Sequence, residues 1–177
     1  MHKSLASRTR FCSVKASTLR MNAMLYRPYT PRDFDALYVL EELCFAPLFR
    51  FDRRTMRLFL RCRHAATWIA EEDGQMAGFA IVEWSKRKSG VSAYIQTIEV
   101  APRWRGRGVG GELLGRLETS ASAAGAGLIG LHVEAANERA IQLYTTQGYL
   151  CQGRQPDYYP EGRAALIYVK RLERNQN

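Results

Sequence analysis

Arginines and glycines crowd the stretch from Arg103 to Gly111, and their spacing suits the binding of an anion. An apolar run ending at Val100 precedes them, and leucines at helical spacing follow, which predicts a strand, a tight turn and a helix. The first amides of a helix have no partner within it, and the helix dipole favours negative charge there. Glycines also let a ligand approach the backbone closely. The stretch therefore predicts a phosphate cradle built on Gly106, Gly108 and Gly110.

Several nucleotide-binding folds use glycine turns, so the surroundings must decide which phosphate is bound. Gly106, Gly108 and Gly111 match G-x-G-x-x-G, but a dinucleotide site has its glycines directly at the strand end and an acid about 20 residues later. Here residues 102–105 intervene, and the next predicted strand, 128–133, has no acid at its tip. A Walker loop is excluded because no Gly-Lys-Ser/Thr follows. An ordinary glycine turn without a ligand is the plain alternative.

The pattern Arg105-x-x-Gly108-x-Gly110, after a strand ending Val100-Ala101-Pro102, resembles the acetyl-CoA pyrophosphate loop of the GNAT acetyltransferase superfamily. The resemblance implies acetyl-CoA as co-substrate, with its diphosphate on the backbone amides of residues 105–110. Amides near Val100 are expected to hold the thioester carbonyl and to stabilise the charge that develops on its oxygen. The cofactor-binding residues that the resemblance implies are Ile98, Val100, Arg105, Gly106, Arg107, Gly108, Val109, Gly110, Asn137 and Tyr144.

A second segment supports this resemblance. Asn137, Ala140 and Tyr144 lie at i, i+3 and i+7 and therefore share one face of a predicted helix. Alone they need no ligand, because asparagine caps helices, alanine permits close packing and tyrosine fills cores. In GNAT enzymes the corresponding asparagine and tyrosine face the CoA arm, with the tyrosine hydroxyl near the sulfur. The resemblance thus implies that Tyr144 protonates the leaving thiolate.

Four further segments, 45–47, 94–98, 131–133 and 157–160, resemble protein N-terminal acetyltransferases. The similarity is to the bacterial ribosomal-protein alanine N-acetyltransferases and still more to the eukaryotic type E enzymes, and it extends over residues 24–172. In the type E enzymes, the residues matching Tyr94 and His132 bind the water through which the amine loses its proton. The bacterial enzymes have a glutamate in the place of His132. The peptide-binding residues implied are Phe45, Pro47, Tyr158 and Tyr159.

Glu99 is the second candidate for the general base, because GNAT enzymes for lysine or small amines can place a glutamate on this strand. Alternation puts Tyr94 and Glu99 on opposite faces. A bulge near residue 99, which is usual in the family, would change that parity. His132 also has a plain alternative, since a lone histidine in an apolar strand is often a core residue with satisfied hydrogen bonds. We rank His132 first and Glu99 second.

An amine attacks a thioester only in its neutral form, so the pKa of the acceptor sets the task of the base. A free α-amine has a pKa of about 7.7–8.0, and lysine about 10.4. Neutralisation at pH 7 costs about 1–1.4 kcal/mol for the α-amine and about 4.6 kcal/mol for lysine. A histidine acting through one water suits the first task. Direct attack in a ternary complex is expected, because none of the four cysteines lies in a motif for a covalent intermediate.

The 177 residues fit one domain with a sizeable core. The net charge of +9 is uneven, because residues 1–23 contain five basic residues and no acid. We expect residues 1–23 to be a disordered extension, the alternative being an organelle-targeting peptide, and residues 173–177 to be a tail. The cysteine spacing indicates neither a metal site nor a disulfide framework, and no apolar run is long enough for a membrane span. A cytoplasmic enzyme without a metal is therefore expected.

The order of periodic segments predicts an α+β fold. Strands are expected at 25–28, 67–70, 75–84, 91–100, 128–133, 149–157 and 164–171, and helices at 34–44, 52–63, 108–124 and from Asn137 to near Gly148. This order predicts a single GNAT-like domain, residues 24–172, with a mixed six- to seven-stranded sheet and helices on both faces.

Two surface features bear on partners. Arg53, Arg57 and Arg61 form one stripe on the second helix, which is either a solvated face or a surface that steers acidic peptides or lies against ribosomal RNA. The loop 45–49 is apolar where enzymes for acidic or small amino termini often carry a glutamate, so a first residue such as methionine is expected. We expect a monomer or a weak dimer.

Three hypotheses follow from the sequence. The first is an acetyl-CoA-dependent acetyltransferase for the N-terminal amine of a protein or peptide. The second is a GNAT enzyme for a small amine, such as a polyamine or an antibiotic. The third is a CoA-binding or RNA-associated module without catalysis.

Overall fold

The structure is a computed structural model that describes residues 23–88 and 90–173. Residues 1–22 of the predicted extension and residues 174–177 of the predicted tail lie outside the described residues. The helices are α1 (Phe34–Cys44), α2 (Arg53–Arg61), α3 (Val109–Ala123) and α4 (Glu138–Thr146). The strands are β1 (Leu25–Pro28), β2 (Ala65–Glu72), β3 (Gln75–Arg87), β4 (Gly90–Val100), β5 (Ala126–Glu134), β6 (Leu150–Tyr159) and β7 (Arg163–Arg171).

All seven strands form one mixed sheet in the order β1-β2-β3-β4-β5-β7-β6. Neighbouring strands are antiparallel except β4 and β5, which are parallel. The α+β class and the mixed sheet predicted from the sequence are confirmed. Within the described residues, no helix is both long and apolar enough to cross a membrane.

The first helical segment begins with local hydrogen bonds. Thr30 and Asp33 form a capping box around Pro31, and α1 follows directly. Arg27 on β1 forms ion pairs with Asp33 and with Glu71 on β2, at 2.8 and 2.7 Å. These contacts fasten the start of α1 to the sheet edge.

The core lies on both faces of the sheet. Residues 77–82 of β3 are all buried, and because successive side chains of a strand alternate, both faces must be covered. Helix α3 contacts β2, β3, β4 and β5, whereas α1 contacts β3 and β4. Strand β4 therefore runs through the centre of the domain, with helices packed on it.

Strands β4 and β5 separate at their carboxyl ends. Their pairing begins at Val91↔Ala126 and ends at Tyr94↔Gly130, although β4 continues to Val100 and β5 to Glu134. A parallel pair that stops halfway leaves a gap between the two strand ends. The polar side chains of Tyr94 and His132 lie next to this gap.

The pairing of β3 with β4 contains a bulge at Gln96, because Thr97 lies opposite Ile81 while Ile95 lies opposite Val82. A bulge was expected near residue 99, and the structure has it three positions earlier. Burial still alternates along β4, with Thr97 and Glu99 buried and Tyr94 more exposed. The bulge nevertheless changes the alternation between the two residues. Tyr94 pairs with Glu83 and Glu99 with Phe79, and because Glu83 and Phe79 lie on one face of β3, Tyr94 and Glu99 lie on the same face of the sheet.

One strand boundary corrects the sequence analysis. The strand expected to end at residue 133 extends to Glu134, so it does carry an acid at its tip. The Glu134 carboxylate is paired with Arg163 of β7 at 3.0 Å. In the structure Glu134 therefore joins the end of β5 to the start of β7 by an ion pair.

Candidate active site

The glycine-rich turn has the geometry of an anion cradle. Gly106 and Gly108 have φ angles of 77° and 81°, a conformation that residues with a Cβ rarely adopt. Gly108 is the residue before α3, and the Glu112 amide donates to its carbonyl oxygen at 3.1 Å. The amides of residues 109–111 precede that bond and have no partner within the helix. They are free to bind a negatively charged group.

A cavity of about 690 Å³ lies between this turn, the end of β4 and helices α1 and α4; we call it the β4–α3 cavity. Eight of the ten residues implied to bind the cofactor line it: Ile98, Val100, Arg105, Gly106, Gly108, Val109, Gly110 and Asn137. Phe45 and Glu99 line it as well, as do residues that sequence reasoning did not assign: Cys44, Trp104, Gly111, Arg139, Ala140, Gln142, Leu143 and Thr146. The turn, β4 and α4 therefore converge on one cavity.

Arg105 and Arg107 lie differently in this turn. The Nε atom of Arg105 donates to the Val100 carbonyl oxygen at 2.8 Å and so ties the turn to the end of β4. The Arg107 guanidinium instead forms two hydrogen bonds with Glu72 on β2, at 2.6 and 3.0 Å. Those bonds, followed by one from Trp104, lower the pKa of the Glu72 carboxyl. The Arg107 side chain thus points away from the cavity.

Helix α4 presents part of its predicted face to the cavity. The Asn137 side chain caps α4 by accepting from the Ala140 amide at 3.1 Å, and both residues line the cavity. Tyr144 is buried, and its ring packs against Tyr149 and Tyr168, with centroids 5.6 and 6.4 Å away. It lies behind the cavity wall, and its assignment to the leaving thiolate stays a prediction.

A tyrosine–histidine cluster of Tyr94, His132, Tyr158 and Tyr159 lies where β4 and β5 separate. Tyr94 Oη is 2.9 Å from His132 Nδ1. The His132 ring stacks on Tyr158 with centroids 4.4 Å apart and planes 4° from parallel. The Tyr159 hydroxyl donates to the His132 carbonyl oxygen at 3.4 Å. The structure thus brings together four residues from β4, β5 and β6.

The phenols around this cluster keep their protons at neutral pH. Burial raises the pKa of Tyr94, and the neighbouring Tyr158 raises it further. Burial, with contributions from Tyr158 and Glu134, raises the pKa of Tyr159 to about 12. Burial also raises the pKa of Tyr144. Each is therefore a neutral hydrogen-bonding group, and His132 is the member of the cluster whose side chain has a ring nitrogen that can accept a proton.

The segment 45–51 connects α1 to α2 along one side of the cavity. Pro47 begins a short 3-10 helix, and Phe45 is partly exposed at the cavity wall. The ring of Phe49 lies under the guanidinium of Arg163 at 4.6 Å, and Arg163 in turn pairs with Glu134. The segment therefore reaches across to β5 and β7. Through Arg163 it is linked to Glu134, at the end of the strand that carries His132.

Glu99 is not beside His132. Its carboxyl is buried, accepts from the Thr97 hydroxyl at 3.0 Å and neighbours Glu41 of α1. Burial, and next the proximity of Glu41, raise the pKa of Glu99 well above its ordinary value. Sequence reasoning did not assign Glu41 a role. The available signal was an acid at an apolar position of α1, between Leu37, Leu40 and Cys44.

The family follows from the match of this chain to known sequences. Residues 34–149 match the model described as the acetyltransferase (GNAT) family. The chain belongs to this family. The GNAT resemblance predicted from the glycine turn is thereby confirmed, and acetyl-CoA is the expected co-substrate. The β4–α3 cavity fits it, because a helix N-terminus and two left-handed glycines line the position where a diphosphate needs donors.

Two curated relatives are similar over different lengths. An uncharacterised protein of Mycobacterium leprae is 33% identical over 150 residues, which is 80% of this chain and 39% of that protein. The chain thus spans well under half of that relative. Streptothricin acetyltransferase of Streptomyces lavendulae is 37% identical over 98 residues, covering 53% of this chain and 51% of that enzyme.

Three solved structures share the fold of this GNAT domain. The ribosomal-protein-S18-alanine N-acetyltransferase from Escherichia coli has a TM-score of 0.75 at 24% identity, covering 85% of this chain and 95% of that one. Arabidopsis thaliana NAA60 in complex with acetyl-CoA has a TM-score of 0.74 at 20% identity, covering 85% and 99%. Nourseothricin acetyltransferase has a TM-score of 0.69 at 26% identity, covering 85% and 99%.

Proposed function

We propose that this GNAT enzyme transfers the acetyl group of acetyl-CoA to the N-terminal α-amine of a protein or peptide. The observation that carries the proposal is the 2.9 Å contact between Tyr94 and His132, at the point where β4 and β5 separate. It puts an imidazole beside Tyr158 and Tyr159, where we place the acceptor slot. Acetyl-CoA supplies a thioester carbonyl as the electrophile.

In this proposal His132 is the general base. Its Nδ1–H donates to Tyr94 Oη, which leaves the electron pair of Nε2 free to accept the proton of the ammonium group, directly or through one water. The proposal requires the tautomer that carries its proton on Nδ1, since Tyr94 Oη is able to donate as well as to accept. The stack on Tyr158 fixes the ring plane. Glu99 is second in rank, because burial and the neighbouring Glu41 raise the pKa of its carboxyl and its hydrogen bond is to Thr97 rather than to Tyr94 or His132.

The remaining roles follow from the placement of the backbone. The amides of the turn and of the first turn of α3 bind the diphosphate, and amides near Val100 receive the developing charge on the thioester oxygen. Tyr144 is proposed as the acid for the thiolate. Its phenol is protonated, but its ring lies behind the wall of the β4–α3 cavity, so this role requires the side chain to reach the sulfur through that wall.

The acceptor enters between the segment 45–51 and the tyrosine pair Tyr158 and Tyr159. Phe45 supplies an apolar wall, and within the described residues of segment 45–51 only Arg50 is charged. Arg50 is occupied by the carbonyl oxygens of Phe45 and Glu42, at 2.6 and 2.8 Å. These contacts support a hydrophobic first residue such as methionine.

The arginine stripe of α2 gives little support to a nucleic-acid surface. The guanidinium groups of Arg53 and Arg57 lie over the ring of Phe34, at 4.9 and 4.1 Å, and Arg53 also pairs with Asp35. These groups already have intramolecular partners. The stripe therefore acts mainly as a helix face that covers the end of α1, and ribosome association is not needed to explain it.

A small amine is the second candidate acceptor. Its support is the 37% identity to streptothricin acetyltransferase and the 26% identity to nourseothricin acetyltransferase, both named for antibiotics. Such an acceptor would use the same base and the same cavity. What separates the two candidates is whether the slot at Tyr158 and Tyr159 holds a peptide backbone.

Product mapping by mass spectrometry tests the proposal. The enzyme is given acetyl-CoA and a mixture of peptides with free amino termini, peptides with internal lysines, polyamines and a streptothricin-type amine. Acetylation of peptide α-amines, with the polyamines and the antibiotic unchanged, supports the proposal. Acetylation of a small amine alone replaces it with the second candidate.

A further inference from the structure

Two carboxyl groups of the described core face each other without a cation between them. Glu41 on α1 is 0% exposed and Glu99 on β4 is 2% exposed. We call these two residues the acid pair. Burying one unpaired carboxylate costs several kcal/mol, and two adjacent carboxylates repel each other as well. The pair therefore needs a proton to be stable in this position.

The hydrogen bonds of the acid pair show where that proton lies. Glu41 Oε1 accepts from the Phe51 amide at 2.8 Å, and Glu99 Oε1 accepts from the Thr97 hydroxyl at 3.0 Å. Glu41 Oε2 and Glu99 Oε2 are both buried and receive no hydrogen from another group. The two carboxyls are within hydrogen-bonding reach of each other. A proton on one oxygen satisfies both.

The groups around the acid pair cannot replace this proton. Cys44 is the neighbouring titratable group on α1, and burial raises the pKa of its thiol, so it remains neutral. The thiol donates to the Val100 carbonyl oxygen at 3.8 Å and also lies within hydrogen-bonding reach of Glu99, but being neutral it cannot offset two carboxylates. Arg105, the nearby cation from the glycine-rich turn, donates to Val100 and lies 3.6 Å from the Cys44 sulfur. Thr97 on β4 and the Phe51 amide are the other polar groups facing the pair.

We propose that Glu41 and Glu99 share one proton, and that this protonated pair positions the segment 45–51 against β4, forming one wall of the acceptor slot. Glu41 holds the far end of that segment through the Phe51 amide, while Glu99 belongs to the strand end that lines the β4–α3 cavity. The pair thus links the acceptor wall to the strand that holds the thioester. Both are positioning residues, since neither touches the cluster of Tyr94 and His132. The inference about the acceptor wall rests on the proposed function.

The proposal makes the position of the acceptor wall depend on pH, through the raised pKa of Glu99. Below the raised pKa of Glu99 the pair keeps its proton and the segment stays in place. As the pH rises through that pKa, two buried negative charges repel each other and the Phe51 anchor loosens. The KM for the acceptor is therefore expected to increase with pH, whereas the affinity for acetyl-CoA should change little.

The first measurement does not depend on the acceptor. Infrared spectroscopy of the full-length enzyme at pH 7 is expected to show the carbonyl band of a protonated buried carboxyl, which is lost in E41Q/E99Q. Hydrogen exchange of the segment 45–51, corrected for the intrinsic rate, is expected to lose protection as this band titrates away. Asp35→Asn is the control, because Asp35 is an exposed acid on the same helix. Absence of the band in the wild-type enzyme, or equal loss of protection with pH in E41Q/E99Q, would overturn the proposal.

The second measurement addresses the acceptor. The KM for a peptide with a free amino terminus is measured against pH for the wild type, E41Q, E99Q and E41Q/E99Q. We expect the wild-type KM to rise severalfold as the pH passes through the raised pKa of Glu99, and the KM of the double variant not to change with pH, since amides keep the hydrogen bonds without a titrating proton. A rise that is unchanged in the double variant contradicts the positioning role. If no peptide is turned over but the infrared band and the exchange behave as expected, the acid pair stands and the proposed acceptor is wrong.

Discussion

Tyr94 Oη and His132 Nδ1 lie 2.9 Å apart on two parallel strands whose pairing ends at Tyr94 itself. Tyr94 is paired with Gly130, so His132, two residues further along β5, lies beside it on the same face of the sheet. The position of the proposed base is thus a consequence of the sheet topology.

Replacement of His132 tests the proposed base. For His132→Gln we expect kcat to fall by about 10²- to 10⁴-fold, the usual contribution of a general base, with unchanged affinity for acetyl-CoA. Tyr94→Phe is expected to lower kcat less, because it removes only the group that holds the imidazole. Steady-state kinetics and calorimetry measure the two effects. The matched control is His64→Gln, since His64 is exposed. A His132→Gln enzyme with the wild-type kcat would remove His132 from the mechanism.

Replacement of Gly108 tests the anion cradle. A Cβ has open space at Gly108, but the φ of 81° costs a residue with a side chain roughly 1–2 kcal/mol. For Gly108→Ala we expect the Kd for CoA, measured by calorimetry, to rise about 5- to 30-fold. Gly115→Ala, in the same helix and also with open space, is expected to bind CoA normally and to be more stable by up to about 1 kcal/mol. Equal effects at both positions would show that the turn conformation is irrelevant to binding.

Gly78 sets the distance between β3 and the end of β4. A Cβ at this position would lie 2.5 Å from the Glu99 carbonyl oxygen and 3.2 Å from Leu113. Gly78→Ala should therefore push β4 outwards and lower the free energy of unfolding by roughly 1–3 kcal/mol. Gly130→Ala is the comparison, because its Cβ would approach the Tyr168 carbonyl only to 3.4 Å. Urea unfolding measures both, and a larger loss at Gly130 would contradict the packing described.

Arg27 and Asp33 should make stability depend on acid pH. The hydrogen bond from Arg27 lowers the pKa of Asp33 from 3.8 to about 2. A depressed folded-state pKa contributes stability that is present above about pH 4 and lost as the pH falls towards 2. The contribution is no more than about 2 kcal/mol. We expect Asp33→Asn to be less stable than the wild type at pH 6, with the difference shrinking between pH 4 and 2, by urea unfolding. A difference independent of pH would contradict this linkage.

The first residue of the acceptor should be apolar. Burial of a methionine side chain against Phe45 is worth about 1.5–3 kcal/mol, so kcat/KM should be at least about tenfold higher for a peptide beginning with Met than with Asp. In Phe45→Ser this preference should shrink. Equal kcat/KM for the two peptides would show that Phe45 does not contact the first residue.

Most of the helices and strands, and part of the candidate site, could be predicted from the sequence. The glycine turn before α3, the strand that carries Tyr94 and the cap at Asn137 were recognisable because each is a local pattern in the chain. The position of the bulge at Gln96 was not, because a bulge is decided by the register between β3 and β4. The acid pair was missed for a related reason. Glu41 and Glu99 are distant in sequence and meet only through the packing of α1 on β4.

The orientation of Arg107, whose side chain points away from the cavity, also could not be predicted from the sequence. In the sequence Arg107 is one of three arginines within residues 103–107, and its position there does not show which way its side chain points. In the fold, Glu72 at the end of β2 lies close enough to pair with it at 2.6 Å. The partner on another strand decides which arginine remains near the cavity.

The most direct test of the central claim compares two peptides that differ in one atom group. Both begin with methionine and contain one internal lysine, but in one of them the α-amine is blocked. Initial rates of acetylation are measured by mass spectrometry with the wild-type enzyme. The account predicts modification of the free α-amine, with the lysine untouched, and no reaction with the blocked peptide. Acetylation of the lysine at equal rates in both peptides would contradict it.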